Sequence, residues 1–277
     1  MYAEIGTSLC WYAATFGLCH VLRSVCRRTL PRPSYQYAVE LIDTFQLVCC
    51  LFENGMVLRL GLLPFATVLF ILTILYALIF EGFANPAAVL DYILRGKLTA
   101  VAGILTILVE LLAAIAAYRY TTFIWKSSWA PSPRHFHAAT VEMISENCST
   151  GLNVSPFVGF AVEMLSVTFL KLVAGVFQGG RRFWRLINAV ISVLVVIYGL
   201  DYTGALMNPV LGFALGWGCH DHQVPTHLFV YWLGPFTGIL VGDWLVDTFL
   251  TSAAKKDRRG VTNGAVIEQN GNHAKLH

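Results

Sequence analysis

Two tripeptides, Asn85-Pro86-Ala87 and Asn208-Pro209-Val210, combine residue types that can build a polar station inside apolar surroundings. Asparagine carries an acceptor oxygen and an NH2 donor. Before a proline it starts a helix well: the oxygen caps free N–H groups, and proline at the first helical position gives up a donor that had no partner. The NH2 is left over. If the two asparagines face each other, a water between them accepts one bond from each, its own hydrogens point away along the path, and a proton wire is interrupted. Two helix N-termini aimed at one spot also bring two positive dipole ends there and repel cations. The tripeptides lie 123 residues apart, and Glu40 and Glu163 repeat with the same offset, each 45 residues before its asparagine. Their settings are alike, Val39-Glu40-Leu41 and Val162-Glu163-Met164, and in the same register Glu110 falls opposite Leu233. Asn-Pro also begins ordinary helices of soluble proteins. Several coincidences in one register within apolar sequence instead argue for a duplicated membrane unit.

The composition agrees. Of 277 residues 56% are apolar and 13% charged, with a mean hydropathy of +0.63; soluble domains carry about 25% charged residues. A polytopic membrane protein is the expected class. Seven cysteines show no CxxC pair or regular ligand spacing, and Cys10, Cys19, Cys49 and Cys50 sit in apolar stretches as small hydrophobes. Cys219-His220-Asp221-His222 groups donors closely, but in a loop these read as solvated, so neither a metal site nor a cofactor is expected. Gly179-Gly180-Arg181-Arg182 lacks the preceding strand of a phosphate cradle. Met1-Tyr2-Ala3-Glu4 lacks the basic start of a cleavable signal. With no Ser/His/Asp order and no carboxylate dyad, an enzyme is not expected.

The elements that must position the asparagines follow from span length. About 20 apolar residues cross a bilayer, which predicts spans at 2–22, 36–57, 62–83, 98–120, 155–177, 187–207 and 228–249. The span 36–57 holds Glu40, Asp43 and Glu53 and should face other helices. The stretches 86–95 and 209–217 are too short to cross and each starts at an Asn-Pro, as half-helices would. With the 23–35 segment in the cytoplasm and strict alternation, 14 of the 19 Lys and Arg residues fall on the cytoplasmic side, as the positive-inside rule requires. The N-terminus is then non-cytoplasmic and the C-terminus cytoplasmic. The 121–154 loop falls outside with two candidate glycosylation sequons, at Asn147 and Asn153. Cys148 and Cys219 share that side and could pair, although nothing in the sequence fixes their distance. The residues 36–120 and 155–249 each contain three spans and one half-helix; three is odd, so the second unit is inverted and the half-helix N-termini meet near the midplane. The expected organisation is therefore an extra N-terminal span with a basic loop (1–35), a core (36–250) and a polar, disordered cytoplasmic tail (251–277).

This pattern resembles the aquaporins. Tyr202-Thr203-Gly204-Ala205-Leu206-Met207-Asn208-Pro209 is similar to that family's approach to its second motif, Tyr231-Trp232-Leu233-Gly234-Pro235 to its last helix, and Glu40-Leu41-Ile42-Asp43-Thr44-Phe45-Gln46-Leu47 to its first core helix. The Gln-Leu-Val-Cys-Cys run and the preceding span resemble its unorthodox branch, the superaquaporins (aquaporins 11 and 12). The resemblance implies an all-α fold of six spans and two half-helices behind the extra span. It implies that Glu40 and Glu163, and Glu110 in a similar way, hold the motif loops, and that Phe65, Val196, Ala205 and Leu211 form the selectivity filter. It also implies a homotetramer, and residence in the endoplasmic reticulum or another intracellular membrane, the plasma membrane being the alternative. Two positions depart from the family: Val210 replaces the motif's alanine, and Leu211 stands where ordinary aquaporins carry arginine. All four filter positions are apolar, which suits glycerol, hydrogen peroxide or slow water passage. The expected function is a passive channel for water or small neutral solutes; a secondary transporter and a non-conducting structural protein are the alternatives.

Overall fold

A computed structural model describes residues 2–127, 137, 148, 150–176, 182–219 and 223–251. Asn147, the His220-Asp221-His222 donors, Gly179-Gly180-Arg181 and the residues from 252 lie outside the described residues. Among the described residues ten helices follow in order: α1 Tyr2–Thr29, α2 Arg32–Leu58, α3 Leu62–Ile79, α4 Pro86–Leu94, α5 Ala100–Lys126, α6 Pro156–Val176, α7 Arg182–Thr203, α8 Pro209–Gly216, α9 Val224–Leu228 and α10 Gly234–Leu245. A π-helical turn, Phe229–Leu233, joins α9 to α10, and a second π-helical stretch, Val246–Thr251, continues α10. Among the described residues seven segments are long and apolar enough to cross a membrane, the last being the continuous Val224–Phe249.

The bundle has the pseudo-symmetry of a duplicated, inverted unit. In the first repeat α2 packs on α5, and in the second α6 packs on α10; the middle spans, α3 and α7, pack on each other. Each half-helix is wedged between repeats: α4 lies against α5 and α10, and α8 against α5, α2 and the π turn. At nine and eight residues, α4 and α8 rise about 12–14 Å, less than half the ~30 Å hydrocarbon thickness. Many large apolar side chains of α3, α5, α6 and α7 are exposed, among them Leu63, Phe123, Phe157 and Tyr198. A membrane supplies the apolar phase these faces need. By contrast α2 is largely buried, with Glu40, Asp43 and Glu53 all inside.

The helix α1 lies along α2 and extends beyond the expected span. The residues read as the basic loop 23–35 are helical except Leu30 and Pro31, since α1 runs through Thr29 and α2 starts at Arg32, and Arg23 is buried against Asp43. A buried carboxylate stabilises the extra turn by pairing the arginine, an effect that local hydrophobicity does not show. Likewise α5 runs to Lys126, so the outer loop starts later than 121, and α7 ends at Thr203 rather than 207.

Candidate pore

Both asparagines sit at helix starts in extended conformation. Asn85 Oδ1 accepts the Ala87 amide at 2.9 Å, and Asn208 Oδ1 accepts that of Val210 at 3.1 Å. The prolines Pro86 and Pro209 occupy the first helical positions, where no N–H is needed. The half-helices meet here: Asn208 Nδ2 donates to the Ala84 carbonyl at 2.8 Å.

The residue before each asparagine is a non-glycine in the left-handed region, Ala84 at φ 48° and Met207 at φ 50°, with Ala205 at φ 49° in the second loop. Such residues cost about 1–2 kcal/mol each and persist only where other bonds over-determine them. Buried carboxylates supply those bonds. Glu40 accepts the amides of Phe83 (2.9 Å) and Ala84 (2.6 Å). Glu163 accepts those of Leu206 (3.1 Å) and Met207 (2.6 Å). Thr203 Oγ1 donates to Glu163 at 2.6 Å and accepts the Ala205 amide at 3.1 Å. Tyr231, in the π turn, donates its buried hydroxyl toward the carbonyls of Thr203 (3.0 Å) and Thr150 (3.1 Å).

Glu110 differs. Its fully buried carboxyl approaches the Glu40 carboxyl and the Asn85 amide, but no hydrogen bond closes on either of its oxygens among the described residues. It therefore packs behind the first loop without binding it as Glu40 and Glu163 bind their loops. On α5 it projects toward α2, whose Glu40 already occupies the loop amides.

Beside the second loop opens a cavity of about 770 Å³, lined mostly by carbon. Phe65, Val196, Ala205 and Leu211 all line it, together with Met207 and with Arg59 and Arg119, two exposed residues. The cavity wall also includes Cys148, which is disulfide-bonded to Cys219 with a Cα–Cα distance of 5.0 Å. This bond ties the end of the outer loop to the residue just past α8. The sequence could place the pair on one side but could not bring them together. Asn153 is exposed, three residues before α6, with its Nδ2 donating to the Asp201 carbonyl at 3.1 Å.

On the other side of the meeting point, Asp91 and Arg95 at the end of α4 join Lys171 of α6 and Asp243 of α10. Lys171 Nζ lies 2.6 Å from Asp91 and 3.0 Å from Asp243; Arg95 lies 2.5 Å from each. No sequence signal pointed to this cluster, since its members lie up to 152 residues apart. Among the described residues no group of three or more His, Cys, Asp and Glu could hold a metal ion.

The sequence profile of the Major intrinsic protein family matches residues 54–246. Aquaporin-11 of Milnesium tardigradum is 26% identical over 247 residues, covering 86% of this chain and 88% of the relative. Aquaporin-12 of Mus musculus is 27% identical over 251 residues, covering 86% and 84%, and Aquaporin-11 of Homo sapiens 28% identical over 253 residues, covering 88% and 90%.

Proposed function

The chain belongs to the major intrinsic protein family, and from that premise we propose that this multi-pass membrane channel passes small neutral solutes, glycerol ahead of water, with hydrogen peroxide as a further candidate. The solute preference rests on one observation: Phe65, Val196, Ala205 and Leu211 line a single, mainly apolar cavity beside the loop that leads into Asn208. Water entering such a ring gives up hydrogen bonds that carbon cannot replace, whereas glycerol keeps part of its surface in apolar contact. Past the ring, Asn85 and Asn208 form the polar station, with two half-helix N-termini set against cations.

Passive flow is favoured over ion-coupled transport because, among the described residues, most buried charged groups are occupied, Glu110 being the exception. Glu40, Asp43 and Glu163 accept backbone amides, and Asp91, Asp243, Lys171 and Arg95 pair with one another. A transporter needs intramembrane charges free to exchange partners.

The proposal extends to a core at 36–250 behind an N-terminal unit at 1–35, with 251–277 as a tail outside the pore. It includes homotetrameric assembly, residence in the endoplasmic reticulum or another intracellular membrane, and glycan acceptors at Asn147 and Asn153. Crosslinking in native membranes, immunolocalisation and a glycosidase mobility shift test these three in turn. For the solute, stopped-flow measurements on proteoliposomes should show glycerol and peroxide permeability well above that of protein-free vesicles, without an ion gradient. Water flux with neither of the others would overturn the preference, and no flux of any solute would favour the structural reading.

A further inference from the structure

The helix α1 precedes the conducting core, and nothing in the pore chemistry above requires it. Yet Arg23, near its C-terminal end, is only 4% exposed. Its guanidinium donates to Asp43 Oδ1 at 2.8 Å and to Gln46 Oε1 at 2.5 and 3.0 Å. The other Asp43 oxygen accepts the amides of Glu81 and Gly82, both at 2.8 Å. One helical turn earlier on α2, Glu40 takes the next two amides, Phe83 and Ala84. Four consecutive amides leading into Asn85 are thus held by two carboxylates, and one of those is held in turn from α1. Closer to solvent, Arg27 of α1 pairs with the Glu81 side chain, to which Tyr35 donates at 3.0 Å.

Among the described residues the second loop has no such arginine-held carboxylate. Glu163 takes two amides, and the third goes to Thr203, a neighbour two residues away. The residue 123 positions after Asp43 is Ser166, so the arrangement is an addition to the first repeat and not a product of the duplication.

We propose that Arg23 is a positioning residue of the channel. Through Asp43 it fixes the backbone of Glu81 to Ala84, and so the place where the Ala84 carbonyl meets Asn208. In this role α1 is a working part of the pore and not only an added anchor. A buried carboxylate with two amide donors still lacks a counter-charge, and the fork of an arginine supplies both charge and donors. Without it Asp43 is an uncompensated buried charge, which relaxes by moving or admitting water. The loop it holds includes Ala84, a left-handed non-glycine that depends on its tethers.

The flux arm of the test rests on the channel reading; the exchange arm does not. In purified protein, Arg23→Gln should speed amide hydrogen exchange across residues 81–84 about tenfold, the effect of losing roughly one buried bond, with residues 205–207 as the unmoved reference. Arg23→Lys, which keeps the charge without the fork, should fall between, and Arg27→Gln at the exposed rim should change exchange less than about twofold. Per folded molecule in proteoliposomes, Arg23→Gln should lower solute flux by a similar factor. Unchanged exchange at 81–84, or an equal rise in both loops, would overturn the brace; raised exchange with wild-type flux would overturn its role in conduction. If Arg23→Gln is not recovered folded, Arg23→Lys carries the test, and wild-type protection of 81–84 in that variant refutes the proposal. A wild-type protein with no flux refutes the channel reading, leaving the exchange arm to judge the brace.

Discussion

Leu211 is the proposed filter position at which a single substitution tests the solute preference most directly. It lines the cavity three residues past Asn208 and offers no donor. Leu211→Arg should raise the water-to-glycerol permeability ratio in proteoliposomes, because a guanidinium adds donors, narrows the opening and repels cations. An unchanged ratio in a folded, conducting variant would mean that residue 211 does not face the solute. Glu163 carries a different burden. Glu163→Ala leaves the Leu206 and Met207 amides and the Thr203 hydroxyl without their acceptor, next to the left-handed Ala205 and Met207. At about 1–3 kcal/mol for each buried group left unpaired, the variant should melt well below the parent in detergent. A wild-type melting curve would show that the loop holds itself.

At the level of elements, close approach between helices limits what can be substituted. On α10, a Cβ at Gly238 would lie 2.6 Å from the Met164 carbonyl oxygen of α6 and 2.8 Å from Val167. Backbone cannot yield as a flexible side chain can, so Gly238→Val should force α6 and α10 apart, costing roughly 1–3 kcal/mol and appearing as a lowered thermal midpoint. Gly82 is similarly confined, 2.9 Å from Glu40 Oε2 at the same hypothetical atom. The Cys148–Cys219 bond closes a separation of 71 residues. Chain entropy then predicts about 4 kcal/mol of stabilisation, so Cys219→Ser, or reduction, should lower the melting temperature. No difference between the oxidised and reduced protein would show that α8 and the outer loop are held by packing alone.

Across the whole molecule, orientation follows from charge. With 14 of 19 Lys and Arg residues on one side, the C-terminus should be cytoplasmic. A C-terminal tag should be digested by protease added outside sealed microsomes, while the 128–147 segment is protected. The reverse pattern would invert every statement about which mouth of the pore faces the cytoplasm. The two half-helices reach the meeting point from opposite sides and are clamped differently: α4 by its ion cluster with α6 and α10, α8 by the disulfide beyond its end.

The sequence by itself determined the all-α membrane fold, the two inverted units and the pair of half-helices. These depend on local quantities, namely apolar length, Asn-Pro at a helix start and a repeat offset, which act within one segment or between two copies of it. The offset also put Glu40 and Glu163 in register. Only the tertiary structure decided which amides each carboxylate binds, that Glu110 closes no such bond, and that Cys148 reaches Cys219. The same is true of the contact of Asn208 with Ala84, the Lys171 cluster and the bond from Arg23 to Asp43. All of these join residues distant in the chain, and their geometry depends on how helices rotate and cross in a low-dielectric interior. There each buried charge must find a partner wherever packing places one.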